Sequence, residues 1–466
     1  MATRVLSPKV EITFYDVTGG GASWKLTDLL GEGCSLTWSY SVRQAAGSFQ
    51  IVIADDSRPL GGESPYYWAA PMDGIEIRAS HDDSNSLPLV FRGFVSEVRR
   101  EEVMGSDGTP ERRTIISGQS IGKVLLLQQI YYVIGADDAE HYMTPWKFFS
   151  KYKESAPKLK PVADFVAEVV SVVLQPHLSV LDAASAMRVS ITPDVRGVRG
   201  IISPYDVCSF QDRSCYELLA QLCDVGPFNE LYVEDVEGGS KLILRPNQFY
   251  TADGDGATTT AHEGVAPERI VIDHRDLVAL SVGRSDACVS NLFWVSVPQT
   301  LQSYHITRFE MYDRVARQIW DIRKSHPRAL ESLYGYRKME VSARRQAPDM
   351  LTPDAPKEGQ IPPEKSKYGS WMTEMCLSLR EQNKDNVIFE QGTMTLRGNE
   401  KIKAGMYVTL ARESVKNNYY AVTVTNHLQA YGNWTTQVQF ERGTSMITRS
   451  SKDYAGELRR DGGAVR

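Results

Sequence analysis

One three-part pattern occurs twice in this chain, once near each end, and it constrains the fold more than any other feature. The first copy runs Asp73-Gly74-Ile75-Glu76-Ile77-Arg78, then Leu89-Val90-Phe91-Arg92-Gly93-Phe94-Val95-Ser96-Glu97-Val98, then Arg113-Thr114-Ile115-Ile116-Ser117-Gly118. The second runs Ala404-Gly405-Met406-Tyr407-Val408-Thr409-Leu410, then Tyr419-Tyr420-Ala421-Val422-Thr423-Val424-Thr425, then Trp434-Thr435-Thr436-Gln437-Val438-Gln439-Phe440. Each copy reads as three successive antiparallel strands, opened by a glycine turn and with a polar loop before the last strand. Two related β modules in one chain imply internal pseudo-symmetry. That points to assembly before it points to a single catalytic pocket.

Size and charge agree with this reading. At 466 residues the chain has room for about two to four domains with sizeable cores. Its 42% hydrophobic and 24% charged residues are those of an ordinary soluble globular protein. A net charge of -6 gives no overall basic footprint, so no nucleic-acid sequence readout is expected. The start, Met1 to Pro8, lacks the apolar core of a signal peptide. No run reads as the roughly 20 apolar residues of a membrane span, so no stable membrane anchor is expected and the chain is expected to fold in a cytoplasm. The six cysteines, Cys34, Cys208, Cys215, Cys223, Cys288 and Cys376, are scattered without a C-x-x-C pair, which suits reduced and mostly buried thiols.

The fold class expected is mainly β with α+β insertions, built on two tube-like β-barrel modules. Residues 1–120 read as the first module, with Val10 to Phe14, Ser35 to Tyr40 and Ser48 to Ile53 alternating in strand period. Five or six such strands can close a small barrel and remove exposed edges. Residues 121–210 read as a mixed helical insertion. Ile121 to Ile130 is helical there, and Asp164 to Leu174 forms a helix stopped by Pro176. Residues 211–270 hold a helix capped by Asp212, then a hairpin of Leu231–Glu234 and Lys241–Arg245 about Gly238-Gly239. Residues 271–345 contribute strands of the second module around a charged helix near Asp313 to Lys324. Residues 346–368 are a Pro-rich loop. Residues 369–443 hold a helix, Trp371 to Asn383, and the second barrel. Residues 444–466 read as a flexible arm.

Chemistry-bearing motifs are few. Gly118-Gln119-Ser120-Ile121-Gly122 matches the G-x-S-x-G elbow, in which a strained strand-to-helix turn exposes a serine nucleophile to a histidine base. A hydrolase of that kind needs alternating βα units, and everything before Gly118 reads as strand after strand. The competing reading is a turn at the end of a barrel strand, with Gly118 supplying an unusual backbone angle. Asp273-His274-Arg275-Asp276 places a histidine among carboxylates, but no second histidine stands nearby at ligand spacing. Asp253-Gly254-Asp255-Gly256 lacks the later acidic positions of a calcium loop. Cys208, Cys215 and Cys223 are not spaced for zinc. Asp137-Asp138 and Glu140-His141 read as a solvated acidic loop. No residue is therefore assigned as catalytic, cofactor-binding or metal-binding, and no cofactor is expected.

Four stretches resemble the baseplate hub proteins of contractile-tailed bacteriophages, relatives of the N-terminal hub part of type VI secretion spike proteins. Phe91 to Val98 followed by Ile115-Ile116-Ser117-Gly118 is like the "G-x-V … S-G" end of the first hub barrel. Ser214 to Asp224, with the hairpin after it, is like a hub segment in which a short helix leads into paired strands. Ser290-Asn291-Leu292-Phe293-Trp294-Val295 and Ser332-Leu333-Tyr334-Gly335-Tyr336-Arg337 resemble a "V-x-N" strand and a later "S-x-x-x-Y-G-x-R" box, here shortened. Gly392 to Gly398 through Ile402 to Val408 is similar to the lead into the last barrel. Together they span most of residues 10–442, with 131–200 and 300–330 as insertions. The resemblance implies two tube-like barrels per chain and a homotrimer that forms a pseudo-sixfold ring. It implies a non-enzymatic role at the virion tail baseplate, joining the tail tube or its initiator to the central spike. Other baseplate proteins are implied partners, and the tape measure protein is a further candidate. The alternative function is a serine hydrolase using Ser120.

Overall fold

Alternating burial builds the first module. The structure, a computed structural model, describes residues 8–17, 22–31, 33–54, 64–81, 87–104, 108, 110–130, 160–202, 213–249, 268–296, 329–345, 364–412, 415–430 and 432–445. Its first strands are β1 (Lys9–Tyr15), β2 (Ser23–Lys25), β3 (Ser35–Ser41), β4 (Ser48–Ala54), β5 (Gly74–Ser80), β6 (Leu89–Met104) and β7 (Pro110–Ser120). They pair in the order β2-β1-β5-β6-β7-β4-β3, antiparallel throughout. Every second side chain points inward, so Ile12, Phe14, Leu36, Trp38, Ile51, Ile75, Ile77 and Phe91 share one core.

The insertion packs a separate core. Its strands are β8 (Gln129–Ile130), β9 (Lys160–Pro161), β10 (Ile191–Val195), β11 (Ile201–Ile202), β12 (Arg213–Ser214), β13 (Asn229–Val236) and β14 (Gly239–Pro246). Helical residues 162–184 and the helix Cys215–Leu222 lay Phe165, Val169, Leu178, Leu218 and Leu222 against Leu231 and Leu244 of the β13–β14 hairpin.

The second module repeats the first. Its strands are β15 (Arg269–Asp273), β16 (Leu277–Gly283), β19 (Glu390–Arg397), β20 (Tyr407–Arg412), β21 (Val415–Gln429) and β22 (Trp434–Ser445); β17 (Leu292–Ser296) and β18 (Lys338–Ser342) form a parallel pair inserted between β16 and β19. The order β15-β20-β21-β22-β19-β16 matches β1-β5-β6-β7-β4-β3 position by position. Five of the six strands also keep their relative direction; β15 alone runs parallel to its neighbour, where β1 runs antiparallel. The bulge in β6 between Val95 and Glu97 has its counterpart in β21 between Ala421 and Thr423.

The turn that opens each copy is also shared; in the second copy it falls at the expected Gly405, in the first at Met72 and not at Gly74. Met72 (φ 75°) and Gly405 (φ 85°) hold the left-handed backbone, and their N–H groups donate to Val95 O (2.9 Å) and Ala421 O (2.8 Å). One cross-strand pair is inverted between the copies. Phe49 on β4 faces Gly118 on β7, whereas Gly392 on β19 faces Phe440 on β22. Neither glycine has space for a Cβ: at Gly392 it would overlap the Ser281 carbonyl, and at Gly118 the Phe94 carbonyl and the Phe49 ring. Steric room, not an unusual backbone angle, is the reason for that glycine.

The architecture is mainly β with helical insertions. The two expected barrels are not separately closed: among the described residues neither module's strand order returns on itself, and the ladder runs on from β3 to β21, so both modules lie in a single 13-stranded sheet. Other expectations are corrected. The helix from Val162 does not stop at Pro176; it runs to Ala184 through a π turn, Val170–Leu174. That turn shifts the hydrogen-bond spacing just before the proline, whose missing N–H is tolerated at the start of the following segment. At 23 residues this helix is long and apolar enough to cross a membrane, contrary to the sequence reading, but its inward side is part of the insertion core. Residues 121–130 shorten to a helix Lys123–Leu127 followed by β8. Ser214, not Asp212, caps the helix at Cys215, in a reciprocal capping box with Glu217. The helix placed at Trp371 begins at Glu364, within the expected loop 346–368, and β22 reaches Ser445, past the expected start of the arm. The charged helix near 313–324, the acidic loop at 137–141, the Asp-Gly repeat at 253–256, Cys208 and most of the arm lie outside the described residues.

Adding a Cβ at Gly118 forces backbone or ring to move, an overpacking that costs about 1–3 kcal/mol. Gly118→Ala is expected to lower stability by that amount in denaturant titration. The pair Gly118→Ala with Phe49→Leu should recover part of the loss; no recovery would show that the ring is not what the glycine accommodates.

Candidate functional site

The seam between the modules is the most elaborated surface in the chain. Seven residue pairs align β3 with β21, from Ser41↔Thr423 to Ser35↔Gln429. Alternation gives the seam two different faces. On one face hydroxyls meet across the ladder: Thr423 to Ser41 (3.0 Å), Thr425 to Ser39 (3.2 Å) and Thr37 to His427 Nδ1 (2.9 Å). On the other, Leu428 and Trp434 of the second module complete the first module's core, with Trp434 tilted against Trp38 at 5.6 Å. Asn426 is buried on this face and accepts from Trp434 Nε1 (3.1 Å) and Thr436 Oγ1 (2.7 Å).

The β13–β14 hairpin bridges the seam. Near its turn, Asp235 accepts from Ser240 Oγ (2.7 Å), from the Arg92 backbone N–H (2.9 Å) and from the Tyr40 hydroxyl. Arg92, 2% exposed at its side chain, pairs with Glu76 at 2.6 Å and donates to the Val236 and Gly239 carbonyls. Arg78 forms a two-pronged contact with Glu237 (3.0 and 2.8 Å). At the hairpin's other end, Arg245 pairs with Glu230 (3.2 Å) and donates to the Gly405 carbonyl, while the Tyr420 hydroxyl donates to Glu230. One end of the hairpin is thus bonded to the first module and the other to the second.

Burial sets the protonation of this network. It pushes the Asp235 carboxyl up, against the hydrogen bonds from Tyr40 and Ser240 that favour the charge. Burial and the facing carboxylates push the Tyr40 and Tyr420 phenols well above their ordinary value, and burial followed by Glu76 pushes Tyr15 up to about 12. For Arg245 burial opposes the charge, but Glu230, Tyr420 and Tyr232 outweigh it and its pKa is raised.

The motifs singled out in the sequence have structural places. Ser120 is fully buried at the end of β7, where its Oγ accepts from the Gly47 N–H (2.9 Å). No histidine bonds to it among the described residues. Asp273 caps the short turn His274–Asp276 by accepting from the Arg275 N–H (3.0 Å), with His274 exposed beside it. Cys215 and Cys223 are buried, and burial raises each thiol to about 12. Among the described residues no three metal-ligating side chains gather. A 590 Å³ cleft lined by Arg43, Cys288, Asn386, Glu390, Glu441 and Arg442 contains no histidine. The two halves of the third motif stretch do meet: Asn291, 1% exposed, donates to the Gly335 carbonyl (2.7 Å) and accepts from the Arg337 N–H (2.8 Å). The seam itself had no signal in the sequence beyond the repeat that creates it.

No protein-family model and no curated protein matches the chain. Solved structures do. The chain is similar to phage tail proteins. The tail protein from Neisseria meningitidis MC58 shares 10% identity over 93% of this chain and 96% of its own, with a TM-score of 0.47. The 43 kDa tail protein of prophage MuSo2 from Shewanella oneidensis shares 10% identity over the same shares of the two chains, with a TM-score of 0.43. An E. coli component of the type VI secretion system, described as structurally similar to T4 bacteriophage tail proteins, shares 7% identity over 88% of this chain and 73% of its own, at 0.38.

Cutting a buried pair leaves a charge stranded, at a cost of about 3–5 kcal/mol, whereas an exposed pair contributes about 0–1 kcal/mol. Arg92→Met is therefore expected to destabilise several-fold more than Arg43→Met, which breaks only the exposed Arg43–Glu441 contact at the seam. Equal losses in denaturant titration would overturn the ranking. For Tyr15 the folded pKa, about 12, lies above the ordinary phenol value of 10.0. Its contribution to stability is complete below pH 10 and is lost as pH climbs toward 12. Tyr15→Phe is expected to make the alkaline decline shallower, read as unfolding free energy against pH.

Proposed function

We propose that this chain is a structural, non-enzymatic hub subunit of a phage tail baseplate. In this reading it acts as a homotrimer whose six similar modules form a ring between the tail tube and the central spike. The observation that carries the proposal is the same six-strand module occurring twice in one chain and joined by the β3–β21 seam. A duplicated module presents the same docking surface twice per chain. Three chains would offer six such surfaces to a sixfold tube and three equivalent faces to a threefold spike. Cyclic closure leaves no free ends to propagate, and a continuous sheet fixes the angle between the modules.

The resemblance of the four sequence stretches supports the same reading, and so does the packing of Asn291 against Gly335 and Arg337 within the third stretch. The partners are the tail tube or its initiator, the spike and other baseplate proteins, with the tape measure protein a further candidate. The site of action is the virion tail, after assembly in the host cytoplasm. The hydrolase alternative loses its nucleophile, because Ser120 is buried and bonded to the Gly47 backbone.

The mass of the purified chain in solution, alone and mixed with the spike protein of the same phage, tests the proposal. A trimer, or a three-to-three complex with the spike, is the expected outcome. A monomer indifferent to the spike would reject it.

A further inference from the structure

We propose that the exposed edge strand β16 is completed by β6 of a second copy of this chain, in the antiparallel register that β3 and β21 use within one chain. This rests on the hub reading above and identifies the contact by which its subunits join.

The internal repeat supplies the template. One edge of β21 serves two partners: residues 415–420 pair with β20 and residues 423–429 with β3. Its counterpart β6 uses its first half in the same way, pairing Leu89–Phe94 with β5. Past the matching bulge, residues 97–104 of β6 pair with β7 alone among the described residues. The loops that precede both copies lie alike: Ser64 Oγ meets Thr114 Oγ1 (3.2 Å), and the Asn399 N–H donates to Thr436 Oγ1 (3.1 Å). The counterpart of β3 is β16, since each pairs with the strand that flanks β7 or β22. Every other strand junction of the second module has its equivalent in the first. Among the described residues, the outer edge of β16 and the second half of β6 are the two members of the one junction left over.

Burial makes the same case. On β3 the inward side chains Leu36 and Trp38 are 0% and 2% exposed, beside Leu428 and Trp434 from across the seam. At the matching positions of β16, Leu280 and Val282 are both 40% exposed. The strand reads Leu-Val-Ala-Leu-Ser-Val-Gly, with no charge to repel another strand. An uncharged apolar edge of this length is what natural sheets cover or interrupt. Strand addition satisfies its free backbone groups and covers its side chains together.

Superposing the two ladders gives a register. Ser281, Leu280 and Ala279 face Glu101, Glu102 and Val103 of the second copy, as Thr37, Leu36 and Ser35 face His427, Leu428 and Gln429. One position further on, Val278 reaches Met104, itself 69% exposed. The counterparts of Leu428 and Trp434 are Glu102 and Arg112, an exposed ion pair at 3.6 Å. The seam between chains is thus the more polar of the two, as suits a surface that meets water before assembly. Because β16 and β6 are different surfaces, the contact is head-to-tail and closes into a ring when the rotation returns to its start.

Mixed variants, each carrying one introduced cysteine, test the register in whichever assembly the mass measurement finds. All are made with Cys288→Ser and Cys208→Ser, which remove the thiol exposed among the described residues and the one outside them. One chain carries Glu101→Cys or Glu102→Cys, the other Ser281→Cys or Leu280→Cys. Adjacent antiparallel pairs alternate between wide and narrow spacing, so at least one of the two matched pairs suits a disulfide. Mild oxidation is expected to shift the matched mixtures to species of two chain lengths that reduction reverses. Glu101→Cys mixed with Gly283→Cys, two positions out of register, is expected to give far less. A trimer whose matched pairs do not cross-link, or cross-link no better than the shifted pair, overturns the strand junction and leaves the hub reading standing. A monomer overturns both.

Discussion

The ladder between β3 and β21 decides where everything else in the chain can sit. Its seven aligned pairs turn two modules into one sheet. Net of lost water contacts, each backbone hydrogen bond contributes only about 0.5–1.5 kcal/mol. Burial of a side chain such as Leu428 against Leu36 adds roughly 1.5–3 kcal/mol. The apolar face therefore dominates stability, while the hydroxyl face, with Ser41–Thr423, Ser39–Thr425 and Thr37–His427 directly opposite, favours one register. A slip by one residue would bring Trp38 and Leu36 to the polar face.

The hairpin β13–β14 works by a different principle. Buried ion pairs are weak sources of stability because desolvation consumes most of their attraction. Their effect here is geometric. The Arg92 guanidinium with the Val236 and Gly239 carbonyls, Asp235 with Tyr40, and Arg245 and Glu230 with the Gly405 carbonyl and the Tyr420 hydroxyl are all satisfied only when the hairpin lies across the seam in this one position. Any other placement strands a buried charge. The network thereby holds the insertion in fixed relation to both modules.

Divergence between the modules is concentrated where their tasks differ. The core exchange of Phe49 and Gly118 for Gly392 and Phe440 preserves volume with the ring supplied from the opposite strand. The edges were not preserved in this way. The first module ends on β3, whose inward side chains are buried at the seam, and the second ends on β16, whose equivalents are exposed. The same architecture thus has one edge joined within the chain and one unpaired among the described residues.

Much of this was legible in the residues. Alternation placed most strands of both modules, because period-two burial is a local property of a half-buried sheet. The hairpin about Gly238-Gly239 was visible for the same reason. Helix ends were less so: Pro176 reads as a stop, yet a π turn lets the helix continue, and Ser214 rather than Asp212 caps the next helix because its Glu217 partner lies one helical turn ahead. Met72 could not be recognised as the turn residue, since left-handed backbone is seldom occupied by a methionine. The site was legible only as a repeat. The sequence by itself determined that the chain holds two related β modules with few groups suited to catalysis. Only the tertiary structure decided that they share one sheet, which strand crosses the seam and which edge stays unpaired among the described residues. Pairing partners distant in sequence are chosen by the joint fit of two surfaces, and no local pattern records that choice.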